Sequence, residues 1–167
     1  MAARRILQLG DPLLRSVSLP IDPADAGPIL RDLEDTLAEF RRTHGFGRAI
    51  SAIQIGAAAR VIFMQVDGAR YELINPEFAW LSPEMFELWD DCFSFPNLMV
   101  RLQRHCGVRL KHEKSDGSIE ELEASGSLAE LIQHEMDHLD GVLAVDRALG
   151  PDSLCTRDEW LRQNPPA

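Results

Sequence analysis

The residues best placed to do chemistry together lie in Gln133-His134-Glu135-Met136-Asp137-His138. His134 and His138 are four apart, so on a helix both imidazoles leave the same face and can share one metal ion. Glu135 follows the first histidine directly, within reach of a water on such an ion without taking a coordination position itself. Asp137 falls on another face, where a carboxylate could orient a ligand imidazole through its second nitrogen. The competing explanation is a surface helix whose histidines happen to share this spacing. The chain has only five histidines, and a glutamate stands in the right slot, so the metal reading is preferred.

A catalytic metal site usually takes three protein ligands and keeps one position open. The candidates for the third are Cys92, Cys106, Cys155, His44, His105, His112 and many carboxylates, and spacing does not choose among them. Cys92 is attractive because it follows Asp90-Asp91 and precedes Phe93-Ser94-Phe95-Pro96 within a predicted buried strand. A buried thiol is nevertheless more often plain core.

These groups need elements to hold them. Ser127-Leu128-Ala129-Glu130 reads as a capping box that starts the histidine helix, and Asp140-Gly141 stops it. A second amphipathic helix is predicted over 29–42, with Ile29, Leu30, Leu33, Leu37 and Phe40 at helical spacing after Pro28. Strands are expected over 60–66, 71–75 (ended by Pro76), 87–95, 108–112 and 119–122, with turns at Asp67-Gly68 and Ser115-Asp116-Gly117. Strands in hairpin-like succession with two helices among them make an α+β domain, one unit over 1–167.

Composition limits the partners. With 45% apolar and 26% charged residues, the chain has the mixture of a globular protein, with disorder expected at most around Asn164-Pro165-Pro166. No apolar run approaches the ~20 residues that span a bilayer. The start, Met1-Ala2-Ala3-Arg4-Arg5-Ile6, lacks the apolar stretch of a signal peptide, so a cytoplasmic protein is expected, with no membrane partner. Three widely spaced cysteines argue against a disulfide framework. A net charge of -10 disfavours direct nucleic-acid binding, and Arg101, Arg104, Arg109 and Lys111 are read as a solvated strand face rather than a basic patch.

Three stretches, in order, resemble the motifs of the peptide deformylase family. They are Gly47-Arg48-Ala49-Ile50-Ser51-Ala52-Ile53-Gln54-Ile55-Gly56, Asp90-Asp91-Cys92-Phe93-Ser94, and Gln133 through Gly141. Supporting similarity at 6–16, 73–76 and 142–147 extends the resemblance over nearly the whole chain. It implies mostly antiparallel sheets around a central metal-binding helix, with Cys92, His134 and His138 as ligands. The expected native metal is Fe(II), with Zn(II) or Ni(II) able to replace it; thiolate plus two imidazoles suits iron and zinc alike. The implied reaction is attack of hydroxide on a formyl carbon of a formyl-methionyl peptide, releasing formate and a free amino terminus. Glu135 would move the protons, while the Gln54 side-chain amide and the Phe93 backbone N–H meet the oxyanion. By the same resemblance Asp90 stands where the family has a supporting glutamate, and Arg104 could pair with it.

Departures fall at the site itself. Ala49 and Asp91 replace motif glycines, and Ile53 stands where a small or polar residue is commoner. Glu130 and Ser127 share the ligand face of the helix, where the family lines an apolar pocket for the methionine side chain. Two explanations compete: both residues merely cap the helix, or the substrate pocket, with Ala49, Asp91, Ser127 and Glu130 as its candidate residues, is polar or narrowed. The segment 151–167 is short and of mixed charge, so the ribosome docking attributed to a long basic helix in many bacterial deformylases is not expected. Oligomeric state is not legible. The competing functions are a hydrolase of shifted N-formyl or amide substrate, a zincin-type peptidase, and a non-catalytic peptide-binding homologue.

Overall fold

The computed structural model describes residues 3–165; Met1, Ala2, Pro166 and Ala167 lie outside it. Helix α1, Ala26–His44, turns its apolar stripe inward and ends on Gly45, whose φ of 79° forms the left-handed cap. It starts earlier than expected because Pro28 fits the first turn, where its missing N–H costs nothing.

Strands β1 (Ala49–Ser51), β2 (Val61–Val66), β3 (Ala69–Leu81), β6 (Gly107–Glu113) and β7 (Ile119–Ser125) form an antiparallel sheet in the order β1-β2-β3-β6-β7. Strands β4 (Met85–Asp91), β5 (Leu98–His105) and β8 (Leu154–Thr156) form a second sheet, ordered β4-β5-β8. Helix α2, Gly126–Leu139, carries the histidine motif, and a short helix α3, Arg157–Gln163, closes the described chain.

Strand β2 shows how the larger sheet is covered. Val61 and Phe63 pack with Leu30, Leu33 and Leu37 of α1, whereas Ile62 and Met64 pack with Ala129, Ile132 and Met136 of α2. Alternate side chains point to opposite faces, and a helix lies on each, so the run reads as continuously apolar. A third cluster, with Leu14, Val100, Leu102, Leu143 and Ala144 around Cys92, underlies the smaller sheet.

Several boundaries differ from expectation. Pro76 does not end β3: Asn75 adopts φ 48° and the register shifts between Ile74 and Glu77, a bulge that accommodates the missing donor. The strand expected over 87–95 stops at Asp91, so Cys92 lies just past its end. The N-cap of α2 is Ser125, not Ser127, and it makes no side-chain cap hydrogen bond. Strands β5 and β8 and helix α3 were not anticipated. The four basic residues of 101–111 form no patch. Arg104 is buried, and Arg101, Arg109 and Lys111 pair with Asp152, Glu123 and Glu121 on two different sheets.

Candidate active site

Residues Ala129 to Leu139 of α2 are buried without a break, including Glu130, Gln133, His134, Glu135, Asp137 and His138. Polar groups withdrawn from water need partners. The partners found for them build the site.

His134 Nδ1 lies 2.9 Å from Asp90 Oδ2. That contact fixes the ring and leaves Nε2 for a ligand. Asp90 stands near the end of β4 and also accepts from Arg104 Nη2 at 3.1 Å, from the adjacent β5. Burial works to raise its carboxyl, but His134 and Arg104 outweigh that and hold it down to about 2. Asp137 is engaged elsewhere than the sequence suggested. It takes Arg104 Nη1 from one side and Arg147 in a two-bond fork at 2.6 Å from the other. The carboxylate that orients a histidine is therefore Asp90. His138 Nδ1 is buried with no hydrogen-bond partner among the described residues, while its Nε2 lies 3.2 Å from Cys92 Sγ.

Arg104 thus links two carboxylates inside the protein. Arg104→Met keeps much of the volume and leaves Asp90 without its guanidinium. We expect a loss of about 3–5 kcal/mol in urea denaturation, the scale of breaking a buried ion pair from one side. An unchanged midpoint would show that this network does not stabilise the fold.

Cys92 reaches the helix because the chain turns at once after β4. Phe95 N–H donates to the Cys92 carbonyl at 3.1 Å, and Ser94 N–H approaches the sulfur at 3.5 Å. The ligand atoms of Cys92, His134 and His138 all lie within 4.8 Å of one another. Donors around a tetrahedral ion at ~2.0–2.3 Å stand roughly 3.5 Å apart, so modest closure brings these three onto one ion. Cys106 and Cys155 are only partly buried and belong to no such group among the described residues.

Gln54 comes from a tight turn, Ala52–Ile55, that follows β1. Its Oε1 accepts from Ser51 N–H at 2.9 Å, which turns Nε2 toward Cys92 Sγ, 3.6 Å away, and Ser94 Oγ, 3.3 Å away. The Phe93 N–H makes no hydrogen bond among the described residues. Ser51 Oγ lies 2.5 Å from Glu135 Oε2, holding that carboxylate at the site. Burial pushes the Glu135 carboxyl up, against lowering influences from His134 and Ser51.

A cavity of about 200 Å³ opens over these groups, lined by Arg48, Ala49, Gln54, Cys92, Glu130 and Glu135 among others. A larger cleft of about 660 Å³ lies elsewhere, along β3, β6 and β7, and includes none of these groups. Gly47 is needed at the rim: its φ is 130°, and a Cβ there would come within 2.6 Å of the Phe93 ring.

The model of the polypeptide deformylase family matches residues 3–153. The chain belongs to the polypeptide deformylase family. A peptide deformylase of Heliobacterium modesticaldum is 37% identical over 149 residues, covering 88% of this chain and 95% of its own length. A peptide deformylase-like protein of Brucella melitensis is 35% identical over 168 residues, 98% of this chain and all of its own. The crystal structure of the Thermotoga maritima peptide deformylase has a TM-score of 0.81 at 31% identity, covering 90% of this chain and 100% of that one.

Against that family background, three residues here went unanticipated. Ser51, read only as part of a small-residue run, positions Glu135. Arg157 of α3 pairs with Asp91 and bonds the Pro96 carbonyl at 2.6 Å, so Asp91 is held from outside the cavity it lines. Asp91 also sits in ordinary strand pairing with Met99, so its lost glycine freedom is not needed. Arg48 bonds Glu130 Oε2 at 2.9 Å and Ser127 Oγ at 2.7 Å. A charge between Gly47 and Ala49, in an otherwise small and apolar run, was the signal available for it. Glu130 therefore does not close a capping box. Burial raises its carboxyl, Asp90 adds to the rise, and Arg48 opposes it.

Proposed function

We propose that this chain is a metal-dependent hydrolase that removes the formyl group from the amino terminus of N-formylated peptides, formyl-methionyl peptides included. The observation that carries the reading is the convergence of Cys92, His134 and His138 with Glu135 beside them.

The donor set fits a divalent ion. A buried sulfur and two imidazole nitrogens face one another, His134 already turned by Asp90, and Gln54 Nε2 is the side-chain donor aimed at the sulfur. Fe(II) is the expected occupant, with Zn(II) or Ni(II) as alternatives that this ligand set also accepts. When bound, such an ion polarises the formyl carbonyl and acidifies water. Glu135 receives the water proton at its carboxylate and later delivers it to the departing peptide nitrogen. Its raised affinity for protons suits both halves of that task. Gln54 Nε2 and the Phe93 N–H are the donors available to a developing oxyanion. A zincin-type peptidase would need neither Cys92 nor Gln54, and a non-catalytic peptide binder would have no use for Glu135.

Among the described residues no helix is long and apolar enough to cross a membrane. In α3, Arg157 is engaged by Asp91 and Arg162 by Glu159, so that helix offers little free positive charge for ribosome docking. The test is formate release from a panel of formylated dipeptides by anaerobically prepared iron protein. Formate from at least one is the expected result; none from any, at full metal content, would end the deformylase reading.

A further inference from the structure

Neither ligation nor proton transfer accounts for Glu130. It lies one turn before His134 on the ligand face of α2, with a side chain only 6% exposed. Arg48 supplies the single hydrogen bond that its carboxylate makes among the described residues, at Oε2, and the same guanidinium clasps Ser127 one turn earlier. The other oxygen, Oε1, has no partner among the described residues, yet it is not sealed from solvent. It therefore opens onto the cavity that Glu130 lines together with Ala49, Leu131 and His134.

We propose that Glu130, held by Arg48, forms the end of the side-chain pocket and selects formylated residues whose side chains donate a hydrogen bond, ammonium or amide, over long apolar ones. This rests on the deformylase reading and deepens it. An apolar side chain would close Glu130 Oε1 off from solvent and return no hydrogen bond. An ammonium or amide N–H supplies one. Arg48, bridging the Gly47–Ala49 segment and α2, holds the carboxylate in place while the site fills.

The test compares kcat/KM of the iron protein for formyl-lysyl, formyl-glutaminyl, formyl-methionyl and formyl-norleucyl dipeptides. Norleucine has the lysine stem without its nitrogen. The lysyl and glutaminyl substrates are expected to exceed the norleucyl one by at least ~10-fold, the scale of one pocket contact. The double variant Glu130→Leu with Arg48→Ile should reverse that order. Glu130→Gln, nearly isosteric, should weaken the lysyl substrate while leaving the glutaminyl one within a few-fold. Equal or better turnover of the norleucyl substrate by the unaltered protein would overturn the inference and leave the deformylase reading intact. Formate from none of the four would sink both together.

Discussion

Cys92→Ala is expected to strip the protein of most of its bound metal, while Cys106→Ala and Cys155→Ala retain it. Cys92 Sγ is buried against His138 Nε2, whereas the other two thiols are partly exposed and stand apart. Without the sulfur an ion keeps two neutral imidazoles and loses both the soft donor and its negative charge. Activity should fall in step with occupancy. Metal per protein after gel filtration, read beside far-ultraviolet circular dichroism, separates lost ligation from lost fold. Full occupancy and full turnover in Cys92→Ala would mean that another residue completes the site.

Glu135→Gln should do the opposite: keep the metal and lose the chemistry. The amide retains the size and can still accept a hydrogen bond from Ser51, but it cannot take a proton from water. A fall in kcat of at least ~10²-fold is expected, the usual contribution of a positioned acid–base group. Single-turnover formate release at matched metal content measures it. If the variant turns over normally, the proton passes by another route and the role given to Glu135 is wrong.

The helix carrying these residues was legible because its evidence is local. A spacing of four and one adjacent glutamate define a face whatever surrounds it. The α+β class and most strand positions were readable for the same reason, from alternation and turn residues close in sequence. What escaped depended on approach across the fold. Nothing near Cys92 distinguishes it from a core thiol until β4 is seen to end one residue earlier and aim it at α2. Asp137 and Asp90 could not be told apart by spacing, since which one meets a histidine depends on where β4 and Arg104 pass the helix. Ser127 and Glu130 made a convincing capping box in isolation. Arg48, 82 residues away from Glu130, changes their meaning. Pro76 misled in the other direction: proline argues against a strand, and only the bulge at Asn75 lets β3 continue past it.

The unbroken burial of α2 also bears on how such a site can diversify. Opening the helix enough to part His134 from His138 would expose eleven buried residues at once. Such a motion belongs with global unfolding rather than with local fraying. The ligand pair is thus as rigid as the molecule, and a change on that helix is judged twice, by chemistry and by stability. Arg48 and Asp91 are under a lighter constraint, because each meets the site from a segment with one side in solvent. New specificities in this architecture are therefore reached most readily by rewriting the rim and leaving the axle alone.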